Sequence, residues 1–124
     1  MHNRHPVPHL LWLFLCTVLT LVILWLGLMP ADLAPSGLGW DKLNHVGAIA
    51  VATVLAYLSL QPRRGAAAAA FVYGTSLGIL IEIMQATLTT TRTAEWSDVA
   101  ADLVGAGCAW AAIQLFRRRT AAKR

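Results

Sequence analysis

Ten residues, 39 to 48, read GWDKLNHVGA and put Asp41, Lys42, Asn44 and His45 at the head of an apolar run. An acid, a base, an amide and an imidazole at this spacing can bind a charged ligand, shuttle a proton or hold a metal ion. Two further polar groups interrupt apolar sequence: Glu82 and Gln85 in EIMQ, and Asp98 and Asp102 in SDVAAD. Arg92 lies in the threonine-rich stretch between them. His45, Glu82 and Asp98 are the candidates for catalysis, and Asp41, Lys42, Gln85, Arg92 and Asp102 for ligand binding. A metal reading would use His45 with Glu82 and Asp102, an oxygen-rich set that suits Mg²⁺, Mn²⁺ or Ca²⁺ as well as Zn²⁺ and so leaves the metal unknown.

Each residue also has a purely structural reading. Asp41 suits an N-cap, and Asp98 suits the positive end of a helix capped by Ser97. Lys42 can snorkel to an interface, His45 can be a hydrogen-bonded packing residue, and Arg92 an ordinary loop charge. Glu82 and Asp102 resist such readings, because an ionisable residue inside a membrane span is by default a functional one.

The elements that must position these groups are membrane spans. In the 124 residues, 57% are hydrophobic and 13% charged, about half the charged share of a typical soluble domain. Crossing a bilayer takes about 20 mainly apolar residues. Such stretches run over 8–28, 41–60, 66–85 and 98–116. The expected fold is therefore all-α: a four-helix transmembrane bundle with short loops, one domain over residues 1–124. The first stretch is too long for a signal-peptide core and is read as a retained span. Cys16 and Cys108 sit in apolar runs and read as small hydrophobic residues.

Lys and Arg set the orientation. With four spans, eight of the ten basic residues share one side, and only Lys42 and Arg92 lie on the other. Both termini are expected on the cytoplasmic side of a cytoplasmic membrane. The basic tail, RRRTAAKR, then reads as a topology anchor on anionic lipid and not as a nucleic-acid contact. Trp25, Trp40 and Trp96 are expected at the outer interface, and Trp12, Tyr57 and Phe116 at the inner one. All six acids map to the outer half.

Helical spacing groups the residues further. Asp41, His45, Ala48, Ala52, Ala56 and Ser59 share one stripe of span two. Ala70, Gly74, Gly78 and Glu82 share one of span three, and Asp98, Asp102, Gly105 and Ala109 one of span four. Small residues let membrane helices approach closely, and a charge facing lipid costs at least ~2.5 kcal/mol at mid-membrane. The three stripes are expected to face one another, with the polar groups meeting in an outward-facing pocket. Arg92 is expected to be the main cation for its carboxylates. Span one has no such stripe and is expected on the outside.

The ordered set DKLNH, EIMQ, an arginine, and SDVAADLVG resembles the VanZ-like family of small bacterial membrane proteins over roughly residues 38 to 110. The family pattern is D-K-x-x-H, E-x-x-Q, a loop arginine and D-x-x-x-N-x-x-G. Asp41, Lys42, His45, Glu82, Gln85, Arg92, Asp98 and Gly105 match it, while Asp102 stands where the family usually has asparagine. The family is named for a protein linked to teicoplanin resistance. The resemblance implies a membrane protein with an outward polar site and supplies no reaction; the expected function is to bind or modify a cell-envelope component, such as a lipid headgroup or a cell-wall precursor. The alternative is a membrane-embedded acid/base or metal-dependent enzyme acting on a lipid-linked substrate. No G-x-S-x-G, H-E-x-x-H or phosphate loop selects a reaction or a cofactor.

Overall fold

The computed structural model describes residues 9–33 and 41–123, apart from the side chain of Asp41. Four helices account for most of them: α1 His9–Leu28, α2 Asp41–Leu60, α3 Ala66–Leu88 and α4 Trp96–Ala121. All four are long and apolar enough to cross a membrane. Within each, the apolar residues leave the backbone groups to satisfy one another along the helix, the condition that hydrocarbon imposes.

α3 and α4 run longer than the apolar pattern alone predicts. α3 continues to Leu88 and stops where Thr89 turns extended, with φ −122° and ψ 151°. α4 begins at Trp96, because Glu95 occupies the N-cap place with extended backbone. The Glu95 carbonyl accepts the Asp98 N–H at 2.9 Å. Ser97 is therefore inside the helix and is not its cap; its hydroxyl donates to Glu95 Oε2 at 3.0 Å. At the other end α4 continues through Arg118 and Arg119. Arginine is a good helix former, and cations suit a helix C-terminus. Between α2 and α3 the chain reverses in five residues, with Gly65 at φ 80°, a left-handed conformation that favours glycine.

α2, α3 and α4 pack mutually, while α1 lies against α2 and α3 only. α1 is the most apolar helix, with mean hydropathy 2.5 against 1.5 to 1.7 for the others. It also buries least, only Cys16 and Ile23. Both facts have one cause: a helix on the rim needs lipid-compatible side chains on most of its surface. Polar contacts to α3 hold it in place, through Thr20 and Tyr73 and through Cys16 Sγ and the Tyr73 hydroxyl at 3.7 Å.

The small-residue stripes are the contact surfaces. Ala52, Ala56, Ala70, Ala106 and Ala109 are buried. A Cβ on Gly74 would collide with Thr53 Oγ1, and one on Gly105 with the carbonyl oxygen of Val46. Without side chains at these points the backbones of α2, α3 and α4 come close enough for Ile49, Leu77 and Ile81 to fill the remaining space.

Candidate functional site

The helices alternate in direction, so the start of α2, the end of α3 and the start of α4 share one end of the bundle. His45 is one turn into α2, Glu82 and Gln85 lie near the end of α3, and Asp98 and Asp102 occupy the first two turns of α4. Glu82, Asp98 and Asp102 are buried, with exposures of 5%, 6% and 1%. Three carboxyls this deep in an apolar bundle demand partners, since an uncompensated buried charge is costly.

Lys42 answers one of them. Its ammonium pairs with Asp98 and reaches Glu95 Oε2 at 3.0 Å. The Lys42 ammonium, helped by the Ser97 hydroxyl, holds the Glu95 carboxyl below the usual carboxylate range. His45 answers the next. Its Nδ1 lies 3.1 Å from Asp102 Oδ1, and its Nε2 lies 3.7 Å from Asp98 Oδ2. Glu82 is held by backbone: its Oε2 accepts the Glu95 N–H at 2.8 Å. The second oxygens of Glu82 and Asp102, Oε1 and Oδ2, are buried without a hydrogen-bond partner. One donor atom from each of His45, Glu82 and Asp102 falls within 4.8 Å of the other two.

The floor of the cluster is a glycine. A Cβ on Gly78 would stand 2.6 Å from both Cβ and Oδ2 of Asp102. The stripe that lets α3 and α4 approach therefore also makes the space in which the Asp102 carboxyl sits.

Lys42, His45, Glu82, Asp98 and Asp102 thus meet at one end of the bundle. Arg92 does not serve as their cation. Its Nε donates to the Met29 carbonyl at 2.9 Å, and among the described residues it has no carboxylate partner. The extended loop after α3 aims the guanidinium at the segment following α1, where a bare carbonyl accepts it, and Lys42 takes the central role. Gln85 also turns outward from the acids, donating from Nε2 to the Gly27 carbonyl at 3.1 Å. Both residues fasten α1 to the end of the bundle. The side chain of Asp41 lies outside the described residues. Glu95 is the residue that spacing did not single out. It serves Lys42 with its side chain and Glu82 with its backbone. Its three-residue separation from Asp98 at the start of α4 was the available signal.

Chemically, the cluster has an excess of buried carboxyl groups, one ammonium at its edge and an imidazole between two of the carboxyls. That equips it to hold a cationic or hydroxyl-rich group, or to move a proton through His45. Comparison with known protein families, curated proteins and solved structures returns no match to this chain.

Proposed function

We propose that the chain is a VanZ-like protein of the bacterial cytoplasmic membrane that binds or modifies a cell-envelope component through Lys42, His45, Glu82, Asp98 and Asp102. The observation that carries this reading is the convergence of three buried carboxyls and an imidazole at one end of a membrane-spanning bundle. Ionisable groups at that depth are expensive and persist where they serve a ligand or a proton. The basic asymmetry, eight residues against two, supports an outward-facing cluster with both termini cytoplasmic. The buried acids suit the amines or hydroxyls of a headgroup or a cell-wall precursor, and Lys42, 26% exposed at the edge, suits a phosphate or carboxylate.

Native mass spectrometry of the full chain, released from membranes in mild detergent, tests this reading. The expected result is a co-purified lipid or cell-wall precursor that is lost in Asp98→Asn and Asp102→Asn. Its persistence in both variants, or its absence from the parent protein, overturns the proposal. Orientation is read by alkaline phosphatase fusions, active after Thr91 and inactive after Gly65. The reverse pattern ends the outward-facing reading.

The geometry of His45 supports a second reading, acid/base catalysis on the bound component. A carboxylate 3.1 Å from Nδ1 orients an imidazole as a general base does. In that case His45→Gln retains the ligand but abolishes its conversion to a product of altered mass.

A further inference from the structure

Once Lys42 is assigned to Asp98, two carboxyls, those of Glu82 and Asp102, have no Lys or Arg partner among the described residues. They are at least 95% buried, and each turns one unpartnered oxygen into the bundle interior. A buried acceptor left unsatisfied costs about 1–3 kcal/mol, and more when charged. Two such carboxyls on different helices, each with an oxygen within 4.8 Å of the other's and of an imidazole nitrogen, are arranged for a common partner.

We propose that His45, Glu82 and Asp102 bind one divalent transition-metal ion of the Zn²⁺ or Mn²⁺ type. The three residues offer one donor each, all within 4.8 Å of one another. Ligands on a four-coordinate ion with bonds near 2.1 Å stand roughly 3.4 Å apart. The widest donor pair would then close by up to about 1.4 Å when the ion binds.

Charge and ligand type agree with this assignment. A dication cancels the charges of Glu82 and Asp102 and supplies the partner that their orphan oxygens lack. The two carboxylates admit Mg²⁺ and Ca²⁺ as well, and the imidazole is the ligand that tilts the set toward Zn²⁺ or Mn²⁺. With Nδ1 on the metal, Nε2–H faces Asp98 Oδ2, 3.7 Å away, the kind of outer carboxylate that orients a ligating histidine. Lys42 balances Asp98. The Glu95 N–H holds the other oxygen of Glu82, which leaves Oε1 to the ion. Three ligands leave coordination positions open for water or a substrate oxygen. The inference concerns the same cluster as the envelope reading but does not rest on it.

The test uses the full chain in detergent, treated with EDTA and dialysed, with His2, His5 and His9 changed to Gln so that the N-terminal histidines cannot hold metal. Zn²⁺, Mn²⁺, Mg²⁺ and Ca²⁺ are titrated separately, without added lipid, and bound metal and thermal stability are measured. The expected result is one equivalent of Zn²⁺ or Mn²⁺ per chain with a rise in Tm, and neither with Mg²⁺ or Ca²⁺. Glu82→Gln and Asp102→Asn should each weaken binding at least 100-fold, and Asp98→Asn by about tenfold, as outer-shell changes do. His45→Gln is the independent variant should either carboxyl change prevent folding. No uptake by the parent protein, or undiminished uptake by folded ligand variants, overturns the proposal and leaves a shared proton as the partner of the two acids. Metal uptake in a protein that carries no envelope component sinks the envelope reading alone; a bound component without metal uptake sinks only this one.

Discussion

At the end of the bundle where α2 and α4 begin, the helices are joined by charge: Lys42 to Asp98 and Glu95, and His45 to Asp102. Directly beyond, they are joined by the absence of side chains, with Gly105 against the Val46 backbone and, about two turns in, Gly74 against the Thr53 side chain. The two regions belong to the same three helices and differ in what a substitution can do to them. A charged contact is made by side chains, which can adjust. A backbone-to-backbone contact in lipid has nothing that can yield, since packing between membrane helices is the attraction itself. The polar end is thus the part free to vary for function, and the glycine seam is the part that makes the bundle.

The largest effect should come from breaking the seam. Gly105→Leu drives a side chain into the Val46 backbone, and the expected loss is about 3 kcal/mol or more, read as a collapse of folded yield or of resistance to denaturing detergent. Gly78→Leu, which presses on the movable Asp102 side chain, should cost about 1–3 kcal/mol. Part of that loss should return when Asp102 is shortened to Ala. Equal losses at Gly78 and Gly105, unrelieved by Asp102→Ala, would erase the distinction between the regions.

Asp98→Asn should follow. It removes the nearer partner of Lys42 but leaves Glu95 in reach, so the expected cost is about 1–2 kcal/mol in the same unfolding assay. Glu95→Gln in addition should cost more in that background than in the parent, because Lys42 then loses its last described carboxylate.

Acid should produce a smaller change. The folded Glu95 carboxyl is held below the usual carboxylate range by Lys42. The stability this contributes is fully present above the ordinary carboxylate pKa and is lost as pH falls through the lower, folded value. A pH series of thermal melts should show that loss at the acid end, and Lys42→Met should flatten it. Glu95 is exposed, so the change should be slight and should shrink in high salt.

The smallest effect is expected at Leu21→Ala. Leu21 is 62% exposed on the rim helix and faces the position of lipid, so the change should stay within about 0.5 kcal/mol. A larger loss would mean that α1 packs against something beyond the bundle.

Much of this arrangement was legible in the residues themselves. Four apolar stretches of spanning length predict four helices, because crossing hydrocarbon is a requirement on local composition. Counting along alternating helices puts His45, Glu82, Asp98 and Asp102 at one end, and the spacing of three or four turns them to the same faces. Helix ends were less legible. α4 starts at Glu95's backbone rather than at Ser97 because the N-cap is set by dihedral angles, which a serine favours but does not dictate.

What only the tertiary structure decided is which partner each polar group takes. Arg92 and Gln85 bind the carbonyls of Met29 and Gly27. A backbone carbonyl is the same at every residue and so leaves no trace in sequence. Lys42 stands with Asp98, and Glu95 joins them, because the register of α2 against α4 brings their ends level. The same register sets Gly105 against the Val46 backbone. Sequence alone determined the helices, their small faces and the depth of the acids, since these depend on composition and period within each segment. The pairing of charges depends on distances between segments, and those exist only once the seam has closed.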